Sequence, residues 1–247
     1  MTSQAEIRMP FEKSVFVVTY GRSGSTLLQN LLNTIDGYCI RGENDNLIIP
    51  LAYSWLRAST SQEIRTRSAV NTPTLPHDPW YGVEQMDVEA YGAELIQGFV
   101  SHILKPPART RVIGFKEVRW GEQGDRLHMP LDFMKRFFPN ARFIINTRNL
   151  DQVARSGWWA QQDHRDVVDH LSKVEKTMLA WHDKNRDCAV HLHYDDYMAD
   201  KTLFRSLFDF LDEPWDEPRV TSVLAQRLDH MLPTAPSASD PSSREHP

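Results

Sequence analysis

The chain has 247 residues, a hydrophobic share of 40% and a formal net charge of −5, which fits one large α/β domain or two small ones with a sizeable core. The negative balance disfavours nucleic acid and anionic membranes as partners, because both require a basic surface. The N-terminus lacks the pattern of a signal peptide, and no apolar run approaches the roughly 20 residues that span a bilayer, so we expect no membrane span.

The first predicted element is a strand over residues 15–19, and a glycine-bearing turn and a helix over residues 27–33 follow it. Such a strand–turn–helix unit binds anions, since the N–H groups of the turn and the positive end of the helix dipole point at one spot. Small residues allow a phosphate to approach the backbone, and an arginine adds a fixed charge. The predicted phosphate-binding residues of this loop are Arg22, Ser23, Gly24, Ser25 and Thr26.

This loop differs from the common nucleoside triphosphate loop GxxxxGK[ST], because no lysine follows its second glycine. The sequence therefore favours a phosphate ligand but disfavours an ordinary ATP or GTP kinase site. A purely structural strand–turn–helix corner is the alternative interpretation of the same six residues.

Residues 59–86 contain several prolines and show no clear hydrophobic period. A long irregular segment in a compact domain is often a binding loop or lid, and its composition suits disorder equally well. We predict that this segment is a lid-like loop that contacts the substrate. We expect residues 1–232 to form one domain and residues 233–247, in which proline, serine and alanine are prominent, to form a disordered tail.

Three further apolar runs predict strands, and amphipathic segments between the runs predict helices. The runs are continuous rather than alternating, which is typical of parallel strands that are covered on both faces. Strands that alternate with helices indicate an α/β fold, in which helices flank a parallel sheet in three layers. The predicted strands cover residues 112–115, 142–146 and 189–194, and the helical stripes cover residues 88–103, 167–181 and 203–211.

A second candidate phosphate site follows the predicted strand over residues 142–146. Arg148 lies at the carboxyl end of this strand, where open α/β sheets bind ligands, and Ser156 lies about two turns later in a predicted helix over residues 149–156. A helix that turns back past the strand end brings both side chains to one anion. The alternative interpretation is that Arg148 forms an ordinary ion pair with an acidic residue and that Ser156 has only a structural role. Two phosphate sites fit an adenosine that carries a 3′-phosphate and a 5′-phosphosulfate.

The two motifs together resemble those of the sulfotransferases that use 3′-phosphoadenosine 5′-phosphosulfate (PAPS). Residues 19–28 are similar to the 5′-phosphosulfate loop of that family. Thr147, Arg148 and Ser156 are similar to its 3′-phosphate motif, including the spacing. Residues 194–197 and 207–211 resemble its closing strand and the following helix. The resemblance implies a P-loop-like sulfotransferase fold, with PAPS as the sulfuryl donor.

Residues 41–50 are most similar to the tyrosylprotein branch of the family, and a bacterial carbohydrate branch also has a glutamate near this place. The resemblance implies that Glu43 is the catalytic base, with Glu117 and His128 as alternatives. It also supports Lys116, after the predicted strand over residues 112–115, as a second catalytic cation beside Arg22. Arg22 replaces the lysine of the aryl and steroid branch.

The acceptor and the oligomeric state stay open, because a small molecule, a carbohydrate or a peptide fits these motifs. Trp158 and Trp159 are candidates for stacking on an adenine or an acceptor ring, with core packing as the alternative. Two other functions fit the phosphate loop. One is a small-molecule kinase with an altered loop, which needs Mg²⁺, and the other is a nucleotide-binding module without turnover.

Cysteine usage indicates a reducing compartment. Cys39 and Cys188 are the only cysteines, and they form no disulfide framework, so we expect a cytoplasmic protein. The cysteines, histidines and acidic residues show no spacing typical of metal ligands, and we expect no metal cofactor.

Overall fold

The computed structural model describes residues 9–70 and 73–225. The strands within these residues are β1 (Lys13–Val18), β2 (Tyr38–Arg41), β3 (Val112–Glu117), β4 (Ala141–Thr147) and β5 (Ala189–His193). They form one sheet in the order β2-β3-β1-β4-β5, in which every pairing is parallel. The carboxyl ends of the strands therefore lie along one edge of the sheet, as the predicted α/β class requires.

The central strand β1 marks the point where the chain changes direction across the sheet. The chain builds β2 and β3 on one side of β1 and then β4 and β5 on the other. Val18 of β1 pairs with Glu117 of β3 and with Ile145 of β4, so the loops after these three strands begin side by side. Such a switch point is where open α/β sheets bind ligands.

Helices cover both faces of the sheet. A π-helical turn, Val100–Leu104, extends α4, and 3₁₀ turns cover Val83–Gln85, Trp120–Arg126, Gly157–Gln161 and Lys201–Leu203. Across the described residues, no helix combines the length and the apolar character needed to cross a membrane. The helices are α1 (Ser25–Asn33), α2 (Ile48–Thr60), α3 (Gln62–Val70), α4 (Val88–Phe99), α5 (His128–Phe137), α6 (Leu150–Ala154), α7 (His164–Lys184), α8 (Tyr194–Ala199), α9 (Phe204–Phe210) and α10 (Glu217–Ala225).

Two hydrophobic clusters, one on each face of the sheet, form the core. Val15 and Val17 of β1 pack with α1, α9 and α10, whereas Phe16 and Val18 pack with α2, α4, α5 and α7. Because successive side chains of a strand point to opposite faces, both sets must be apolar when both faces are covered. This burial explains the continuous apolar runs and confirms the predicted three-layer arrangement.

The edge strand β2 was not expected from the sequence. Its four residues are too few to show a period, and its burial comes from pairing with β3 and from packing against its neighbours. The predicted end of β3 was also wrong, because Lys116 lies inside the strand and is only 6% exposed. Two consecutive charged residues, Lys116 and Glu117, suggested a strand end, although tertiary contacts bury both of them.

The expectation of an irregular segment over residues 59–86 is wrong for much of its length, because α3 and a 3₁₀ turn occupy parts of it. No residue of α3 is buried, so this helix has no apolar stripe that a sequence pattern could reveal. An exposed ion pair between Glu63 and Arg67 (3.0 Å) spans one turn of it. Contact of this segment with the acceptor stays a prediction, and the predicted tail over residues 233–247 lies outside the described residues.

The helix after Arg148 is shorter than expected and does not reach Ser156. Helix α6 ends at Ala154, and Ser156 is extended, with φ −117° and ψ 135°. Gly157, which directly follows Ser156, is exposed and has φ 58°. A left-handed residue favours glycine and reverses the chain here. Ser156 therefore reaches the phosphate loop through a sharp turn rather than through two helical turns.

Candidate active site

The loop between β1 and α1 has the backbone form of an anion-binding turn. Gly24, the residue before α1, has φ 81°, and a Cβ atom there would lie 2.1 Å from the ring of Tyr194. Only glycine fits this position. The first turn of α1 contains no acidic residue, so its free N–H groups and the helix dipole favour an anion in front of Ser25.

A buried polar network fixes the loop to β4. The hydroxyl oxygen of Thr19 lies 2.7 Å from both the Ser23 hydroxyl oxygen and the Asn146 carbonyl oxygen. The Asn146 side-chain amide donates to the Ser23 carbonyl oxygen (3.1 Å) and accepts from the Tyr197 hydroxyl (3.1 Å). Buried polar groups whose bonds are satisfied rigidify a site. The loop is thus held in shape by its protein contacts alone.

The guanidinium of Arg148 lies directly against the phosphate loop. Its Nη1 atom donates to the Arg22 carbonyl oxygen (3.1 Å), and its Nη2 atom donates to Gln152 Oε1 (3.1 Å). The guanidinium carbon lies 4.5 Å from the ring centroid of Tyr194. Among the described residues, the buried Nε atom of Arg148 has no hydrogen-bond partner. A buried donor of this kind is typical of a site built to meet an acceptor.

Ser156 joins the same surface through Arg22. The Arg22 Nε atom donates to the Ser156 hydroxyl oxygen (3.0 Å), and the Arg22 guanidinium carbon lies 5.8 Å from the Trp158 ring centroid. The two predicted phosphate motifs, which are separated by more than a hundred residues in the sequence, therefore form one continuous surface. Arg22 and Arg148 are neighbours rather than members of two separate sites.

Tyr20 positions the backbone of Arg148, a role that the sequence did not reveal. Its hydroxyl oxygen accepts from the Arg148 N–H (2.9 Å) and also contacts the carboxylate of Glu175. Burial and the hydrogen bond to Glu175 raise the pKa of Tyr20 well above its usual range. Burial also raises the pKa of Glu175, although the Tyr20 hydrogen bond opposes this shift. The pair links α7 to the backbone of Arg148, in the predicted 3′-phosphate motif.

Glu43 and Lys116 form a close ion pair at the carboxyl edge of the sheet. The Lys116 Nζ atom lies 2.6 Å from Glu43 Oε1, and Arg119 Nη1 lies 3.6 Å from Glu43 Oε2. Lys116 is buried in β3, whereas Glu43 follows β2 and its side chain is 36% exposed. The strand positions bring the predicted base and the predicted cation together. A partly exposed carboxylate can be reached by a substrate.

Glu117 anchors the loop that carries Glu43. Its buried carboxylate accepts N–H donors at 2.8–3.3 Å, from the residues Asn44, Asn46, Val118 and Arg119. Asp45 and Asn46 are both left-handed, with φ 58° and 54°, and such a backbone requires this kind of support. Both carboxylate oxygens of Glu117 are engaged, which disfavours Glu117 as the base. The other alternative, His128, contacts the Asp125 carbonyl oxygen (3.0 Å) at the start of α5.

A cavity of about 510 Å³ opens beside Glu43. Trp158 and Trp159 line it together with residues of the loop after β1, of the segment that follows β3 and of α7. Both tryptophans contact the loop, since a Cβ atom on Gly21 would lie 2.3 Å from the Trp158 ring and Trp159 Nε1 donates to the Gly21 carbonyl oxygen (3.3 Å). Residues 9–70 and 73–225 hold no group of three or more side chains suited to a metal ion.

These features define a P-loop-like α/β fold, with the predicted phosphate-binding residues at its switch point. A model of the sulfotransferase family matches residues 14–217, which is well over half of the chain. The protein therefore belongs to the sulfotransferase family and is a transferase, as the two motifs predicted. No curated protein matches the chain by sequence.

Two solved structures show the same fold. The sulfotransferase domain from the Synechococcus PCC 7002 olefin synthase has a TM-score of 0.53 and 17% identity, over 92% of this chain and 82% of that one. The sulfotransferase domain from the curacin biosynthetic pathway has a TM-score of 0.50 and 15% identity, over 87% of this chain and 78% of that one. At such identities the likeness concerns the fold alone, and it confirms the predicted sulfotransferase fold.

Proposed function

We propose that this sulfotransferase takes a sulfuryl group from PAPS and transfers it to a hydroxyl or amine of an acceptor. The observation that carries the proposal is the chain of contacts Arg148–Arg22–Ser156 around one phosphate loop. One nucleotide with a phosphate at each end of its ribose can reach both ends of this surface. A nucleoside triphosphate would leave Arg148 and Ser156 without a role.

The residues present fit such a donor. The N–H groups from Ser23 to Thr26 suit the 5′-phosphate, because they lie at the start of α1. The unpartnered Nε atom of Arg148 suits the 3′-phosphate, together with the Ser156 hydroxyl. A guanidinium binds a phosphate with paired, planar donors.

PAPS supplies the activated sulfur, and the protein supplies positions and charges. Glu43 accepts the proton of the acceptor group and is the proposed base. Lys116, at 2.6 Å from Glu43, and Arg22 stabilise negative charge on the transferred group and the leaving phosphate. By analogy with phosphoryl transfer, the attacking and leaving oxygens lie roughly in line. No step requires a metal ligand from this chain.

We also propose that the protein acts in the cytoplasm on a small-molecule, carbohydrate or peptide acceptor. Cys39 and Cys188 support a reducing compartment, because both are buried and unpaired. The fold and the phosphate surface fit each of these acceptor classes equally well.

A thermal shift experiment with three nucleotides tests the donor. Adenosine 3′,5′-bisphosphate should raise the melting temperature by mass action, with a stabilisation of about 2.7 kcal/mol at a hundredfold excess over Kd. ADP with Mg²⁺ and adenosine 5′-phosphate are the controls and should give smaller shifts. An absent shift at saturating bisphosphate, or an equal shift with ADP and Mg²⁺, would refute the proposal.

A second measurement separates an enzyme from a silent binding module. The protein is incubated with radiolabelled PAPS and a cell extract, and the labelled products are separated and identified. A new labelled compound that depends on the protein supports transfer. Tight bisphosphate binding without any labelled product would favour the nucleotide-binding module.

A further inference from the structure

The cavity beside Glu43 joins the proposed base to the phosphate loop. It lies between the turn Trp120–Arg126, the turn Gly157–Gln161 and α7, and both Glu43 and Gly21 line it. Its volume of about 510 Å³ is within the range of small-molecule sites, which span roughly 300–1,000 Å³. A molecule bound in this cavity would lie beside the proposed base and against the phosphate loop.

Most of the lining is apolar. Trp158 and Trp159 supply two indoles whose ring centroids are 6.3 Å apart and whose planes are tilted by 43°. Aliphatic side chains complete the apolar part, and they belong to Val118, Leu171 and Val174. Leu171 and Val174 are buried residues of α7, and Val118 directly follows β3. Flat apolar faces of this kind suit an aromatic ring.

The polar atoms of several lining residues are already engaged by the protein. Trp159 Nε1 donates to the Gly21 carbonyl oxygen, and the Tyr20 hydroxyl is held by Glu175 and Arg148. Arg119 lies within 3.6 Å of three carboxylates, those of Glu43, Asp45 and Glu117. A sugar needs a hydrogen-bond partner for each of its hydroxyls, and unpaired hydroxyls are costly on burial. Glu122 and His170 also line the cavity, but the engaged atoms leave fewer partners than the hydroxyls of a sugar require, which disfavours a carbohydrate.

We propose that this cavity is the acceptor site and takes a planar aromatic compound with a phenolic hydroxyl, an inference that rests on the proposed sulfotransferase function. A phenol has a pKa near 10, as in tyrosine, and gives up its proton to a carboxylate more readily than a sugar alcohol does. The phenol O–H bond breaks and its proton moves to Glu43. The phenol oxygen forms the new O–S bond, the bond from sulfur to the 5′-phosphate oxygen breaks, and adenosine 3′,5′-bisphosphate leaves.

Val118 and His170 are the specificity-determining positions that can be changed without altering the phosphate loop. Both line the cavity, and the His170 ring lies 6.2 Å from that of Trp159. His170 is exposed on α7, so a larger side chain fits there without disturbing the core. Asp169, the neighbouring exposed residue, is absent from the cavity lining and provides a matched control.

Calorimetric titration with 2-naphthol tests the inference on the protein alone and on its complex with adenosine 3′,5′-bisphosphate. We expect 2-naphthol to bind the wild-type protein several-fold more tightly than 2-decalol, its saturated counterpart. His170→Trp and Val118→Phe, which fill the cavity, should each weaken 2-naphthol binding about tenfold or more. Asp169→Trp should leave it unchanged, and all three variants should bind the bisphosphate as the wild type does.

Three outcomes would overturn the acceptor assignment. One is the absence of 2-naphthol binding to the wild-type protein, and another is unchanged binding in both cavity-filling variants. Tighter binding of methyl β-glucopyranoside than of 2-naphthol would also overturn it. Variant-sensitive binding of 2-naphthol without any binding of the bisphosphate would support the cavity and refute the PAPS donor, so the two proposals fail separately.

Discussion

The donor side and the acceptor side of the proposed site are built in different ways. On the donor side, buried hydrogen bonds from Thr19, Asn146 and Tyr197 fix the phosphate loop to the central strands. The cavity proposed for the acceptor is lined mainly by short 3₁₀ turns, by loop residues after β1, β2 and β3, and by one face of α7. The sheet therefore constrains the donor side, whereas loops and turns, which tolerate sequence change, shape the acceptor side.

The largest expected effect comes from Glu43. Among the described residues, it is the only proposed catalytic or donor-binding residue that also lines the cavity proposed for the acceptor. Glu43→Gln should lower the rate of sulfuryl transfer by about 10²–10⁴-fold, because the acceptor loses its base. The bisphosphate-induced rise in melting temperature should persist. Transfer from radiolabelled PAPS measures the rate.

Asp45→Asn is the control for Glu43→Gln. Asp45 is more exposed and lies at the same distance from Arg119, 3.6 Å. The Asp45→Asn variant should retain most of the sulfuryl-transfer activity. Wild-type turnover in Glu43→Gln would show that Glu43 is not the base. An equal loss of activity in both variants would indicate that the ion pairs of the two carboxylates with Arg119 matter instead.

The next largest effect is expected from a substitution of Arg148, which tests the donor side alone. Arg148→Ala should weaken the binding of adenosine 3′,5′-bisphosphate by about 10- to 100-fold, the value of a charge-assisted hydrogen bond, and should change the binding of adenosine 5′-phosphosulfate much less. Calorimetry with both nucleotides measures the difference. Arg142→Ala, at the amino end of the same strand, is the control and should affect neither nucleotide. Equal weakening of both nucleotides by Arg148→Ala would contradict the assignment of the 3′ end.

A pair of glycines tests how rigid the donor side is. Gly24→Ala should lower the free energy of unfolding by about 1–3 kcal/mol, because φ is 81° and the new Cβ atom would lie 2.1 Å from the Tyr194 ring. Gly98→Ala should raise it by about 0.5–1 kcal/mol, since Gly98 lies in α4 with open space around it. Urea unfolding measures both. An unchanged stability in Gly24→Ala would contradict a constrained loop.

The smallest effect is a pH dependence at Glu175, which lies between the two sides. Burial raises its pKa in the folded state, so the folded protein binds this proton more tightly than the unfolded chain, in which the pKa is about 4.3. The contribution of Glu175 to the free energy of unfolding is therefore present at low pH and is lost as the pH rises through the pKa of the folded state. Glu175→Gln should therefore lose less stability than the wild type as the pH rises above about 4.3.

Urea unfolding at several pH values measures the dependence at Glu175. Glu94→Gln, a change at an exposed position of α4, serves as the control and should keep the wild-type pH profile. A profile of Glu175→Gln that is parallel to that of the wild type would contradict the shift.

Local patterns predicted much of the fold and the outline of the site. The strands β1, β3, β4 and β5 have apolar runs because both faces of the sheet are covered, and β2 escaped prediction because it has only four residues. The loop after β1 and Arg148 were predicted to bind phosphate from their positions at the ends of strands, and the structure brings them into contact. Ser156 reaches the loop, but through the turn at Gly157 instead of the predicted helix.

The sequence by itself determined the parallel α/β class and the family, because each depends on neighbouring residues or on a repeated spacing, and it predicted the phosphate-binding role of the loop after β1. Only the tertiary structure decided which groups meet across the sheet. It paired Glu43 with Lys116, buried Glu117 as an anchor and held Arg148 through Tyr20 and Glu175. These contacts join residues that are far apart in the chain, and their energies depend on burial and distance, which no local pattern encodes.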